Sequence, residues 1–265
     1  MSIKLLGLPY DLNSSFLRGP ALAPARIRLM EREGSANTYA EDGTNIILGE
    51  TYEDLGDLNL TGLNPAAAFH AIRKGVQEAI SDGSKLVSLG GDHSVAYPVL
   101  DAYTERHPGL HVLQIDAHGD LYDDFEGNPY SHASPFARIM EEGKVGSLTQ
   151  VGIRTFNTHQ RQQADRYGVN VIEAKDFSLD FIKDLHAPLY ISLDLDALDP
   201  AFAPGVSHHE PGGLSTREVI RLIQNIGTTI IGADIVEYNP TRDLHQMTAM
   251  VAYKLMKELM VRMIK

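Results

Sequence analysis

In HVLQIDAHGDLYDDFEG (residues 111–127) the apolar Val112, Leu113 and Ile115 lead directly into Asp116, His118 and Asp120 at alternate positions. Carboxylates and imidazoles are costly to bury unless they are paired or hold a metal. In extended backbone alternate side chains share a face, so these three can point one way. Asp194 and Asp196 repeat the spacing after PLYISL, and His93 follows KLVSLG in the stretch Gly90-Gly91-Asp92-His93. That makes two imidazoles and four carboxylates. A single ion that keeps an open position does not need so many ligands, whereas two ions sharing bridging carboxylates use all six. Four aspartates also balance two divalent ions, which removes the net charge from a buried cluster. The chain has no cysteine, so thiolate sites are excluded, and a carboxylate-rich N/O set suits Mn²⁺ better than softer ions. The expected cofactor is two Mn²⁺ per subunit. Two aspartates are set aside: Asp92, which lies beside His93 on the opposite parity, and Asp199, which before a proline reads as a turn.

Such side chains need a rigid mount. Apolar runs recur at 3–8, 85–90, 110–115, 147–153, 169–172, 188–193 and 228–235, separated by stretches with helical spacing. Residues 65–83 open with Pro and close with Gly, and 215–227 open with a Ser215/Glu218 capping box and close with Gly. Strands alternating with helices of this length predict a parallel sheet covered on both faces. In such sheets ligands bind beyond the carboxyl ends of the strands, and the ionisable residues fall at those ends, including Glu237 after TTIIGADI. The segment from His245 to Ile264 has near-helical apolar spacing and five of the eight methionines, and is expected to pack on the sheet. No linker or repeat divides the chain, so one domain over 1–265 is expected.

Composition narrows the partners. Of 265 residues 43% are hydrophobic and 22% charged, ordinary values for a globular protein. Thirty-five acidic against 23 basic residues give a net charge of −12, which disfavours nucleic acid and anionic membranes. The start, MSIKLLGLPYDL, lacks the pattern of a signal peptide, and a cytosolic location is expected.

GGDHS, DAHGD, SLDLDALDP and ADIVEYNP, in this order, resemble the ureohydrolase family of arginases and agmatinases. The resemblance runs from SSFLRGPALAPARIR to the last strand and is nearest to plant-type arginases and bacterial agmatinase-like proteins. It implies a three-layer α/β/α fold with a largely parallel eight-stranded sheet, and a binuclear manganese site. By motif position, Asp116 and Asp194 would bridge the ions, His93 and Asp120 would complete one site, and His118 and Asp196 the other. It also points to His132, in YSHASPF, as a proton-transfer residue, and to Glu237 as the carboxylate that holds a guanidinium group. The family commonly forms homotrimers or homohexamers.

The implied chemistry is hydrolysis of a small cationic guanidino compound. A water shared by two metal ions loses its proton near neutral pH and attacks the guanidinium carbon. A histidine protonates the leaving amine. Agmatine and L-arginine are the leading substrates, with a lean to agmatine. Animal-type arginases carry an asparagine two residues beyond the last aspartate of the DAHxD motif, where this chain has Tyr122. Asn128, Tyr130 and Asn157 are the candidate specificity residues. His208 and His209, in GVSHHEPGG, could reach substrate or order their loop. His70, His107, His111, His159, His186 and His245 match no ligand motif and are read as surface or satisfied core groups.

Other guanidino or formimino compounds are alternative substrates. A two-metal phosphoesterase also uses Asp-x-His, but it needs an anion pocket, and Glu237 would repel phosphate. A non-catalytic relative would be expected to have lost ligands, and a single-metal deacylase would not need the full set.

Overall fold

The expected strands are Val/Ile/Leu runs without polar alternation, the signature of strands buried on both faces. In a computed structural model, which describes residues 2–33 and 36–265, they form β1 (Ile3–Gly7), β3 (Lys85–Leu89), β4 (Leu110–Ile115), β5 (Val145–Ile153), β6 (Asn170–Glu173), β7 (Leu189–Asp194) and β8 (Ile230–Val236). An eighth strand, β2 (Tyr52–Asp57), was not among the apolar runs: YEDLGD is an edge strand with alternating burial, and its charges conceal it. The order is β2-β1-β3-β8-β7-β4-β5-β6, and every pairing is parallel.

Helices cover both faces. Strand residues alternate between two cores. Leu113, Ile115, Ile191 and Leu193 join α1 (Ala23–Arg32), α6 (Thr216–Asn225) and α7 (Met247–Ile264). Val112, Tyr190 and Leu86 join α2 (Pro65–Ala79), α3 (Ala96–Thr104) and α4 (Pro135–Glu141). α5 (Thr158–Tyr167) adds Ala164 to the second core. This is the expected three-layer α/β/α arrangement. The capping box forms as read: Ser215 Oγ accepts from Glu218 N–H at 3.2 Å and Glu218 accepts from Ser215 N–H at 2.7 Å. α2 is shorter than the expected 65–83 helix, capped by the Asn64 side chain and ending at Ala79. Along α7, Leu255, Met256, Leu259 and Met260 are buried, whereas Met247 is exposed. Among the described residues no helix is long and apolar enough to cross a membrane.

The strand order positions the site. β3 and β4 are consecutive in sequence yet separated in the sheet by β8 and β7. The chain therefore leaves the centre in opposite directions, and the carboxyl ends of β3, β8, β7 and β4 share one crevice.

Candidate active site

Each candidate ligand sits where a strand breaks into a turn. After β3, Gly91 is required by close approach, because a Cβ there would lie 1.7 Å from the Tyr10 carbonyl oxygen. Asp92 then caps the 3₁₀ turn that carries His93. Asp194 ends β7, and its side chain accepts from Asp196 N–H at 2.7 Å, starting the turn that aims Asp196. Extended alternation is not what brings Asp116, His118 and Asp120 together. β4 ends at Ile115, and Asp120 reaches the cluster with φ +49°. Glu237 likewise has φ +63°. Non-glycine residues in this region are strained and collect at functional sites.

The six side chains converge. His93 Nδ1 lies 3.0 Å from Asp116, 3.0 Å from Asp120 and 3.2 Å from Asp194. His118 Nδ1 lies 3.0 Å from Asp196 and 3.6 Å from Asp116. Two compact triads result, His93/Asp116/Asp194 and Asp116/His118/Asp196, with Asp116 in both. Around them other side chains hold the orientation of the candidate ligands. His93 Nε2 meets Ser192 Oγ at 2.9 Å, and Ser192 donates to Asp234 at 2.7 Å. Gln114 donates to Asp116 at 2.8 Å and is itself held by Gln150. Such outer partners fix the ring orientation and basicity of metal ligands.

Electrostatically the cluster is unfinished. Burial, then Asp196 and Asp116, hold the Asp194 carboxyl well above the usual range. Burial and Asp116 push Asp120 up to about 6. Buried His93 Nδ1 makes no hydrogen bond although three carboxylates surround it. A buried lone pair without a donor, facing acidic oxygens, fits a divalent cation, and the N/O donor set fits a hard or borderline one.

Glu237 and His132 lie beside the triads. Glu237 N–H donates to Gly91 O at 2.9 Å, and Glu237 Oε1 accepts from His93 N–H at 2.8 Å and lies 2.7 Å from His132 Nδ1. His132 Nε2 meets both the N–H (3.1 Å) and the hydroxyl (2.8 Å) of Ser15. Burial opposes a charge on His132, but Glu237 outweighs it and pushes the imidazole up to about 9. Nε2 facing an N–H donor has no room for a proton, however. The imidazolium therefore requires Ser15 to move off. Asp92, set aside as a ligand, anchors this segment, since it accepts from Asn13 N–H at 3.0 Å. Burial pushes its carboxyl up to about 7.

A cavity of about 250 Å³ opens over the cluster, lined by Ser15, His118, Asp120, Tyr122, Phe125, His132, Asp194, Asp196, His208, Glu210 and Glu237 among others. His93 and Asp116 lie beneath it. Three expected specificity residues do not line it. Asn157 caps α5 and donates to the Tyr122 hydroxyl at 2.6 Å. Tyr130 packs against Phe69 and Tyr97, and Asn128 bonds Asn13. The two loop histidines divide: His208 faces the cavity between His118 and His132, and His209 bonds the Pro204 carbonyl at 2.7 Å. Ser15 and Glu210 were not singled out from the sequence. A serine in a loop and a glutamate before proline have no pattern of their own. Ser192 and Asp234 did leave a signal, as polar residues inside buried apolar strands.

Fold and cavity together define an α/β protein with a candidate metal centre at the carboxyl edge of a parallel sheet. The model of the Arginase family matches residues 1–261. Arginase 1, mitochondrial, of Arabidopsis thaliana is 45% identical over all of this chain and 82% of its own length. N(1)-aminopropylagmatine ureohydrolase of Thermus thermophilus is 37% identical over 93% of this chain and 86% of its own. The solved arginase of Medicago truncatula superposes with a TM-score of 0.94 at 41% identity, covering 99% of this chain and 87% of that one. The chain belongs to the arginase family, and with it to the ureohydrolases.

Proposed function

We propose that the protein is a manganese-dependent ureohydrolase that converts agmatine or L-arginine to urea and an amine, putrescine or ornithine. The observation that carries the reading is one aspartate, Asp116, common to two His/Asp triads at a cavity that Glu237 and His132 also line. One ion would be held by His93, Asp116, Asp120 and Asp194, the other by Asp116, His118, Asp194 and Asp196. Bound there, two divalent ions supply a water acidic enough to act as a nucleophile at neutral pH.

The chain's own groups do the rest. Glu237 pairs with the guanidinium and fixes its carbon over the cluster, and positioning of this kind contributes several kcal/mol. It does so by exchanging His132 Nδ1, its partner at 2.7 Å, for the substrate. His132, freed from Glu237 and from Ser15, can carry a proton on Nε2 to the departing amine. Phe125, Tyr122 and Ala133 wall the cavity and limit the water that competes for these hydrogen bonds. The same reading places the protein in the cytosol as a homotrimer or homohexamer, without nucleic-acid or membrane partners. The Arabidopsis relative, by contrast, is named mitochondrial.

The test is direct. Protein loaded with Mn²⁺ is incubated separately with agmatine, L-arginine, guanidinobutyrate and formiminoglutamate, and urea or formamide is measured beside the metal content. Urea from agmatine or arginine, with two Mn²⁺ per chain, is expected. Release from none of the four would overturn the assignment.

A further inference from the structure

We infer that Glu210 seats a protonated amine at the far end of the substrate, so that the site takes guanidines carrying a second, ammonium group. This rests on the ureohydrolase reading and narrows it. Exposure gives the depth of each cavity residue. The side chains of Asp194 and Glu237 are 3% and 4% exposed, while those of His118 and Glu210 are 24% and 35% exposed. A guanidinium held by Glu237 at the base therefore extends its tail toward His118 and Glu210 at the rim.

The rim has one sign of charge. Among the described residues no Lys or Arg lines the cavity. The nearby guanidinium, Arg154, is spent on backbone carbonyls of Gly152, Asp196, Ala197 and Glu210. It fixes the Glu210 backbone and leaves the Glu210 carboxylate uncompensated. That carboxylate has one ionic neighbour among the described residues, His118 Nε2 at 3.7 Å, beyond hydrogen-bond distance. An ammonium arriving at the rim would gain a charge-assisted hydrogen bond. A tail ending only in a carboxylate would meet like charge from Glu210, with the cluster's aspartates behind it. Agmatine and L-arginine both carry the required ammonium. Guanidinobutyrate does not.

The experiment compares kcat and KM for agmatine, L-arginine, guanidinobutyrate and butylguanidine in the Mn²⁺-loaded wild type and in Glu210→Gln, with Mn²⁺ binding followed by calorimetry. The substitution keeps the shape of the side chain and the carbonyl that holds Arg154. The expected result is a fall of about tenfold in the ratio of agmatine to butylguanidine kcat/KM, mostly through KM, as for loss of a charged hydrogen bond. Mn²⁺ affinity should hold. Equal losses on every substrate with weaker Mn²⁺ binding would overturn the proposal, by showing that Glu210 acts through His118. An unchanged ratio would overturn it too. Should the wild type release no urea at all, the proposed function falls. Calorimetric binding of agmatine against butylguanidine then still reads the Glu210 contact, and equal binding in both proteins would reject it.

Discussion

Two buried histidines lie at opposite edges of the same sheet, His93 beyond the carboxyl end of β3 and His111 at the amino end of β4. They are 1% and 3% exposed. At His111 both ring nitrogens are matched: Nε2 meets Thr149 Oγ1 at 3.0 Å, and Nδ1 meets His186 Nδ1 at 3.1 Å. Burial, then His186, push it down to about 4, so it is neutral. At His93 one nitrogen is matched by Ser192, and the other faces three carboxylates without a hydrogen bond. The protein's own side chains thus complete the polar network at one edge of the sheet, and at the other they present a nitrogen and carboxylates suited to a cation. Buried networks left open cost stability, and such costs concentrate where function needs them.

If the open edge is a two-ion site with a shared ligand, Asp116→Asn should break both halves together. Urea release should fall by more than ~100-fold, the upper figure for loss of an outer partner of a ligand, and calorimetry should find both Mn²⁺ sites weakened. One site left at wild-type affinity would refute the shared role of Asp116. Ser192→Ala separates the halves instead. It removes the partner of His93 Nε2 and one donor to buried Asp234. Mn²⁺ affinity should fall by about 10–100-fold at the His93 triad, while the His118 triad stays near wild type. Parallel weakening of both sites would mean that the hydroxyl acts through general stability.

The sequence displayed the open edge better than the way it is built. Apolar runs ending on Asp116, Asp194 and His93 are visible because a core strand has no other reason to end in charge. The eight-stranded parallel sheet followed from family resemblance, and seven of its strands were visible as apolar runs. β2 was not, since an edge strand can carry charge on its solvent side. The alternation argument named residues that the structure does bring together, but by a different geometry: turns and a left-handed Asp120, not extended backbone, gather the candidate ligands. Glu210 and Ser15 were not legible, because their meaning depends on which distant elements face them. Asn157 shows the opposite case. A polar residue near a motif reads as recognition, yet its amide is occupied by a helix cap and Tyr122.

The closed edge makes the smaller claim, and pH tests it. The folded chain holds His111 at about 4, below the unfolded value near ~6.5. As pH falls, the unfolded chain therefore binds this proton first, and linkage lowers the stability of the fold. The contribution is complete above about 6.5 and is lost between there and about 4. Because His186 is open to water, screening leaves about 1 kcal/mol of the effect. Carboxylates of the open edge also titrate in this window, so the wild-type curve alone does not isolate His111. The informative quantity is the difference from His111→Gln, which removes the titrating ring and keeps a donor for Thr149. The variant should lose less melting temperature than the wild type between pH 7 and pH 4.5, with urea release at pH 7 unaffected. Identical slopes would mean that His111 is not the neutral, fully matched group its contacts describe. A steeper slope in the variant would mean that protonated His111 stabilises the fold, and the contrast with His93 would collapse.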